Sequence, residues 1–229
     1  IEKDPGFAEY YRLRGDYYNV IKKEPKKAIV DYSQALNLGT VDSAGVYYNR
    51  VSVRFDLDDE DGARNEWGKA FDIYQEKLLK DSLNPLLLYQ FGKVYRQIDN
   101  FRVNNSNYRT DRVRNYSTYM KTFNLFKKAL ENTDTDLMVT NNYLGNGFSA
   151  FDLSRVKLKN LIYFRMMSNY NINVNVNGKS SENELYQNNK WSYYDSIDNF
   201  ELCEILRTAG EEGYSGPIDV YEFIREVCN

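Results

Sequence analysis

Ala28-Ile29-Val30-Asp31-Tyr32-Ser33-Gln34-Ala35-Leu36 is the stretch on which the reading of the chain turns. Ala28 and Ala35 stand two helical turns apart with Tyr32 between them on the same face, so this is an amphipathic helix whose packed side alternates small and large residues. Upstream, Tyr11, Gly15 and Tyr18 repeat that alternation, and Lys22-Lys23-Glu24-Pro25 separates the two stretches with Pro25 at the first turn of the second. Residues 8–38 therefore predict a helical hairpin. A glycine inside a helix costs roughly 1 kcal/mol against alanine, so Gly15 signals a close helix–helix approach, with aromatic rings filling the space beside it.

Further along, the pattern returns. A second unit reads Tyr47-Tyr48-Asn49-Arg50-Val51, Phe55, then Ala63, Trp67 and Ala70. A third follows Asn84-Pro85 with Leu88, Phe91, Gly92 and Tyr95, and resumes with Thr122, Phe126 and Ala129 after an insertion over 99–115. A fourth, weaker unit shows Tyr143-Leu144-Gly145 and Phe148, then Leu158, Leu161, Ile162 and Phe164. This succession of aromatic, small residue, aromatic, then Ala, aromatic, Ala resembles the tetratricopeptide repeat. Relative to that family one extra residue separates Gly15 from Ala28, and Pro5 sits where a preceding repeat would end. Ile1-Glu2-Lys3-Asp4-Pro5 is thus expected to be the tail of an upstream repeat. Gly15 to Val51 is 36 residues, Val51 to Gly92 is 41 and Gly92 to Gly145 is 53, against a nominal period of about 34. The resemblance implies an all-α fold over residues 1–168: a right-handed helical-hairpin solenoid of about four degenerate repeats with a C-terminal helical cap.

Residues 169–196 are rich in Asn, with Ile172, Val174 and Val176 alternating, and are read as a polar linker or a short hairpin near Asn177-Gly178. Over 197–229, Leu202, Cys203, Leu206 and Ala209, then Val220, Phe223, Ile224 and Val227, predict a closing helical hairpin. It brings Cys203 and Cys228 together. Two buried thiols are the expected outcome, and a disulfide the alternative if the Cα atoms lie within about 7 Å in an oxidising compartment.

Composition narrows the chemistry. A net charge of −3 and a pI near 5.3 supply no general basic field, which disfavours a nucleic-acid partner. No run of eighteen apolar residues predicts a membrane span. The start at Ile1 is neither a signal peptide nor an initiator end, so a processed chain or a fragment is expected. Compartment stays open between cytoplasm and bacterial envelope or periplasm. There is no histidine, and the two cysteines lack metal-site spacing, so no metal, cofactor or enzymatic activity is expected. Asp58-Asp59-Glu60-Asp61 reads as turn and helix-start charge, and Gly145-Asn146-Gly147 lacks the setting of a nucleotide loop.

The family register implies a concave face lined by the first helix of each unit. One residue after the leading aromatic come Arg12, Tyr48, Tyr89 and Asn142; one turn later come Asp16, Ser52, Lys93 and Asn146, with Arg96 near Lys93. Phenols with charges and amides suit a peptide or protein segment. Some family members bind acidic tails through a five-residue carboxylate clamp. Arg12 and Asn49 fit that pattern, but Asp16, Leu86 and Gln90 depart from it, and the Asp16 carboxylate would repel an anionic tail, so recognition of such a tail is not expected. The 99–115 insertion carries Phe101, Tyr108, Arg102, Arg109, Arg112 and Arg114, which suit contact with RNA or an acidic protein face. Asn104-Asn105-Ser106 and Asn115-Tyr116-Ser117 fit glycosylation triplets that this Asn content yields by chance. The expected function is a non-enzymatic scaffold or adaptor for a protein partner. The alternative is a structural subunit of a larger complex that uses repeat edges and loops.

Overall fold

The computed structural model describes residues 6–97, 108–134, 137–140, 155–167, 198–214 and 219–228. These are predominantly helical: α1 Ala8–Tyr17, α2 Pro25–Asn37, α3 Ser43–Phe55, α4 Glu60–Lys80, α5 Pro85–Gln97 and α6 Tyr108–Glu131. After a two-stranded ribbon come α7 over residues 158–167, α8 Asp198–Glu211 and α9 Val220–Val227. The all-α character read from the sequence holds.

Local chemistry sets the helix boundaries. Asp42 accepts a hydrogen bond from the Gly45 amide (3.0 Å), Asp59 from Gly62 (2.9 Å) and Asn84 from Leu87 (3.1 Å), so α3, α4 and α5 each start on a side-chain oxygen that satisfies a free amide. Asp219 does the same for α9 through the amides of Tyr221 and Glu222. Pro25 and Pro85 occupy first turns, where the missing N–H costs nothing. The extra residue after Gly15 is absorbed in a π-helical turn, Tyr18–Lys22, which closes α1 and ends on Lys23 in the left-handed region (φ 54°).

Packing joins neighbours in sequence: α1 against α2, α3 against α4 and α5 against α6, with α2–α3 and α4–α5 contacts linking one hairpin to the next. The first and third hairpins share a device. A Cβ at Gly15 would lie 2.8 Å from the Tyr32 ring, and one at Gly92 would lie 2.6 Å from Phe126. In both, the ring rests on the backbone of the facing helix. The second hairpin instead packs Val51 against Ala63 and adds a buried Arg50–Glu66 ion pair of 2.9 Å between α3 and α4. The largest core unites α5 to α9 through Leu88, Phe126, Leu161, Met167, Leu206 and Phe223. Leu158, Leu161, Ile162 and Phe164 are buried as their spacing predicted.

Several expectations need correction. Residues 108–115, read as part of an insertion, belong to the backbone of α6, because Tyr108 to Glu131 contains neither Pro nor Gly and nothing interrupts the helix. The ribbon was not foreseen: Met138–Thr140 pairs antiparallel with Arg155–Lys157, Val139 opposite Val156. Strands of three residues are too short to show an alternation in sequence. Cys203 and Cys228 are not buried thiols but a disulfide, with Cα atoms 5.8 Å apart. The expected neighbourhood of the two cysteines was right, and their chemistry was not. Residues 1–5, 98–107, 141–154 and the 169–196 linker lie outside the described residues.

Three measurements check this packing. Gly92→Ala should lower the urea-unfolding free energy, because overpacking costs about 1–3 kcal/mol against a helix-propensity gain of up to about 1 kcal/mol. Gly68→Ala in α4, where an added Cβ meets nothing within 4 Å, should instead raise it by up to about 1 kcal/mol. Reducing the Cys203–Cys228 disulfide, which closes a separation of 25 residues, should cost roughly 3 kcal/mol, read as a lower melting temperature in reductant.

Candidate partner-binding face

Hairpin contacts, joined by helix-start caps on α3 and α5, fix the rotation of α1, α3 and α5, and side chains from the three helices meet along one face. At its first end Asp16 is 3% exposed. Its carboxylate accepts hydrogen bonds from Arg12 (2.9 Å) on the same helix, the Tyr32 hydroxyl (2.7 Å) of α2 and the Asn49 amide (3.0 Å) of α3. Arg12 also pairs with Glu9, which accepts a hydrogen bond from Thr40 at 2.6 Å. Burial pushes the Glu9 carboxyl up, but Thr40 and Arg12 together outweigh it and leave it below its ordinary value. For Asp16 burial wins over Arg12, Tyr32 and Asn49, and the carboxyl rises to about 6.

Further along, Lys93 of α5 places its Nζ 4.6 Å from the Tyr48 ring centroid and 5.6 Å from that of Tyr89. Lys93 is 4% exposed. Burial drives its pKa well down, the neighbouring Arg165 of α7 adds to this by repulsion, and Asp42 and Asp16 oppose it. Burial raises the phenols of Tyr48 and Tyr89, against the pull of Arg165 on both and of Arg96 on Tyr48. Gln97 reaches back to donate to the Tyr48 carbonyl at 3.3 Å.

The face therefore gathers Arg12, Asp16, Tyr48, Tyr89, Lys93 and Arg96, but not as an open groove. Arg12, Asp16, Tyr89 and Lys93 are buried, contrary to the expectation that they stand free for a partner. In the first hairpin, mutual pairing closes the site. Around α5, Tyr89 packs on Phe126 at 5.9 Å between ring centroids and joins the core shared with α7. Ser52 is exposed, with Asn19 beside it at 3.4 Å, and Tyr48 and Arg96 are half-buried. Asn142 and Asn146 lie outside the described residues. Arg165 escaped sequence reading. Its signal was there, as the single charge within Ile162-Tyr163-Phe164-Arg165-Met166-Met167.

The raised Asp16 pKa has a definite sign. An aspartate in the unfolded chain titrates near 3.9, so between about pH 4 and 6 the folded protein holds the proton more tightly. The stability that Asp16 contributes is complete below about pH 4 and is lost as pH rises through about 6. Asp16→Asn should remove this dependence. From pH 4 to 7 the unaltered chain should lose on the order of 3 kcal/mol relative to the variant in parallel urea titrations; parallel profiles would place the Asp16 pKa at its ordinary value.

Compared with known proteins, the chain matches no family model and no curated protein sequence, so the function of this face is argued from its own residues.

Proposed function

We propose that this chain is a non-enzymatic adaptor, a tetratricopeptide-like right-handed solenoid that holds a peptide or protein segment along the face formed by α1, α3 and α5. One observation carries the proposal: side chains pass continuously from hairpin to hairpin, Asn49 of α3 on Asp16 of α1 and Lys93 of α5 over Tyr48 of α3. Stacked repeats produce such a face when equivalent first helices lie side by side. The glycine–ring contacts at Gly15 and Gly92 support the repeat assignment, since they fall at the offsets on which the resemblance rests.

Burial of Arg12, Asp16, Tyr89 and Lys93 gives them the task of shaping the face, and leaves first contact to Tyr48, Ser52 and Arg96. A second role, as a structural subunit joined through repeat edges, is favoured by apolar side chains near the links between hairpins. Val41, between α2 and α3, is 87% exposed, and Leu79, in the last turn of α4, is 83% exposed.

Panning the intact chain against a displayed peptide library separates the two. An adaptor selects peptides whose affinity falls by about 1–4 kcal/mol on Tyr48→Ala or Ser52→Arg, with melting unchanged. Selected peptides that are indifferent to both substitutions would move the binding surface elsewhere. Failure to select any peptide, with self-association that Val41→Lys and Leu79→Lys abolish, would establish the structural role.

A further inference from the structure

We infer that the Cys203–Cys228 disulfide is a redox-operated latch on α9: it holds this helix down on α8, and its reduction lets α9 open locally while α1 to α6 keep their fold. α9 spans only eight residues, Val220–Val227, and a helix of that length does not persist in water by itself. It is fastened at both ends. At its start the Asp219 carboxylate accepts from the amides of Tyr221 and Glu222 at 2.9 and 3.1 Å, and the Tyr221 hydroxyl donates to the Gly210 carbonyl at 3.0 Å. At its end Cys228, which follows the last turn, is bonded to Cys203 of α8 with Cα atoms 5.8 Å apart. Between those ends Val220 and Phe223 are buried, and Ile224 and Val227 are partly buried against the same core. Burying two side chains fully and two in part offsets less than ordering eight residues costs, so the covalent tie decides whether α9 stays down.

α8 is anchored without that tie. Glu201 near its start pairs with Lys127 of α6, and Glu212 just beyond its end accepts from Lys159 and Tyr163 of α7 at 2.8 and 3.0 Å. Cutting the disulfide therefore frees α9 and leaves α8 in place. The bond is reached from one side, since Cys203 is buried and Cys228 is half-buried. A dithiol reductant attacks the Cys228 sulfur: its thiolate forms a mixed disulfide with Cys228, and Cys203 leaves as a thiolate that takes up a proton. The second thiol of the reductant then displaces Cys228. Two cysteine thiols form as one dithiol becomes a disulfide, and an open α9 uncovers part of the apolar core that it shares with α8. The latch is independent of what the face of α1, α3 and α5 holds.

The test is hydrogen exchange of the intact chain, read by mass spectrometry with and without dithiothreitol, beside a thiol titration that verifies reduction. Two thiols should appear without denaturant, and the α9 amides should then exchange on the order of a hundred-fold faster, with α1 to α6 unchanged. Removing the reductant and reoxidising should restore the slow exchange. A chain carrying both Cys203→Ser and Cys228→Ser should show the fast α9 exchange from the outset and no response to dithiothreitol. Where that variant does not fold, the oxidised and reduced forms of the unaltered chain still decide. Unchanged α9 protection in the reduced chain overturns the inference and assigns the hold to apolar contact. Protection lost across α5 to α8 as well overturns it by making the bond a staple of the whole core. Thiols that titrate only in denaturant, or protection that reoxidation does not restore, overturn it because the bond is then no switch in the folded chain.

Discussion

An aromatic ring seated on a glycine backbone is the contact from which the rest of this structure is built. At Gly15 and Gly92 the facing helix comes so near that a single added carbon would fall within 3 Å of Tyr32 or Phe126. That proximity settles which side of α1 and α5 turns toward the partner helix. A helix carries its side chains at fixed angles, so once one stripe is committed to the hairpin, the next stripe must look toward the neighbouring hairpin. Asp16 and Lys93 each directly follow their glycine, which is why both end on the shared inner face. The polar network around Asp16 is a consequence of the close approach.

Much of this was legible because helical periodicity records local geometry. Ala28, Tyr32 and Ala35 are all fully buried, as are Ala63, Ala70 and Ala129 in the later hairpins. The order of the hairpins could likewise be read from Pro25, Asn84 and the spacing of small residues. Sequence was weaker wherever the answer depended on a group arriving from far along the chain. Register put Tyr89 and Lys93 on a partner-facing stripe, yet both are buried, and it carried no information that α7 would join the core beside Tyr89. In the first hairpin, Asp16 was assigned to contact with a partner because the groups that satisfy it, Tyr32 and Asn49, lie 16 and 33 residues away. The length of α6 was obscured by polar composition, which favours a loop only where the backbone also has a reason to turn.

The two ends of the inner face handle charge by different means. Around Asp16 opposite charges and neutral donors are matched at short range, which rigidifies the junction of the first two hairpins. Because three elements donate to one carboxylate, losing any donor leaves a buried acceptor short of a partner, at about 1–3 kcal/mol. Around Lys93 burial disfavours the ammonium, while the Tyr48 and Tyr89 rings and the more distant Asp42 and Asp16 favour it. Matched charge favours a fixed shape.

The Cys203–Cys228 disulfide changes how mechanical load passes through the last hairpin. Without a crosslink, tension applied at residue 228 would peel α9 away one turn at a time, because that helix is only eight residues long. With the bond in place, the same tension enters near the start of α8, at Cys203, which is buried in the fold. Load then reaches α6 through the Lys127–Glu201 pair and the shared apolar core, so many contacts must shear at once before any helix separates. Shear across a wide interface resists force far better than peeling from one edge. The last hairpin therefore yields to force by shear while the bond is intact and by peeling once it is reduced.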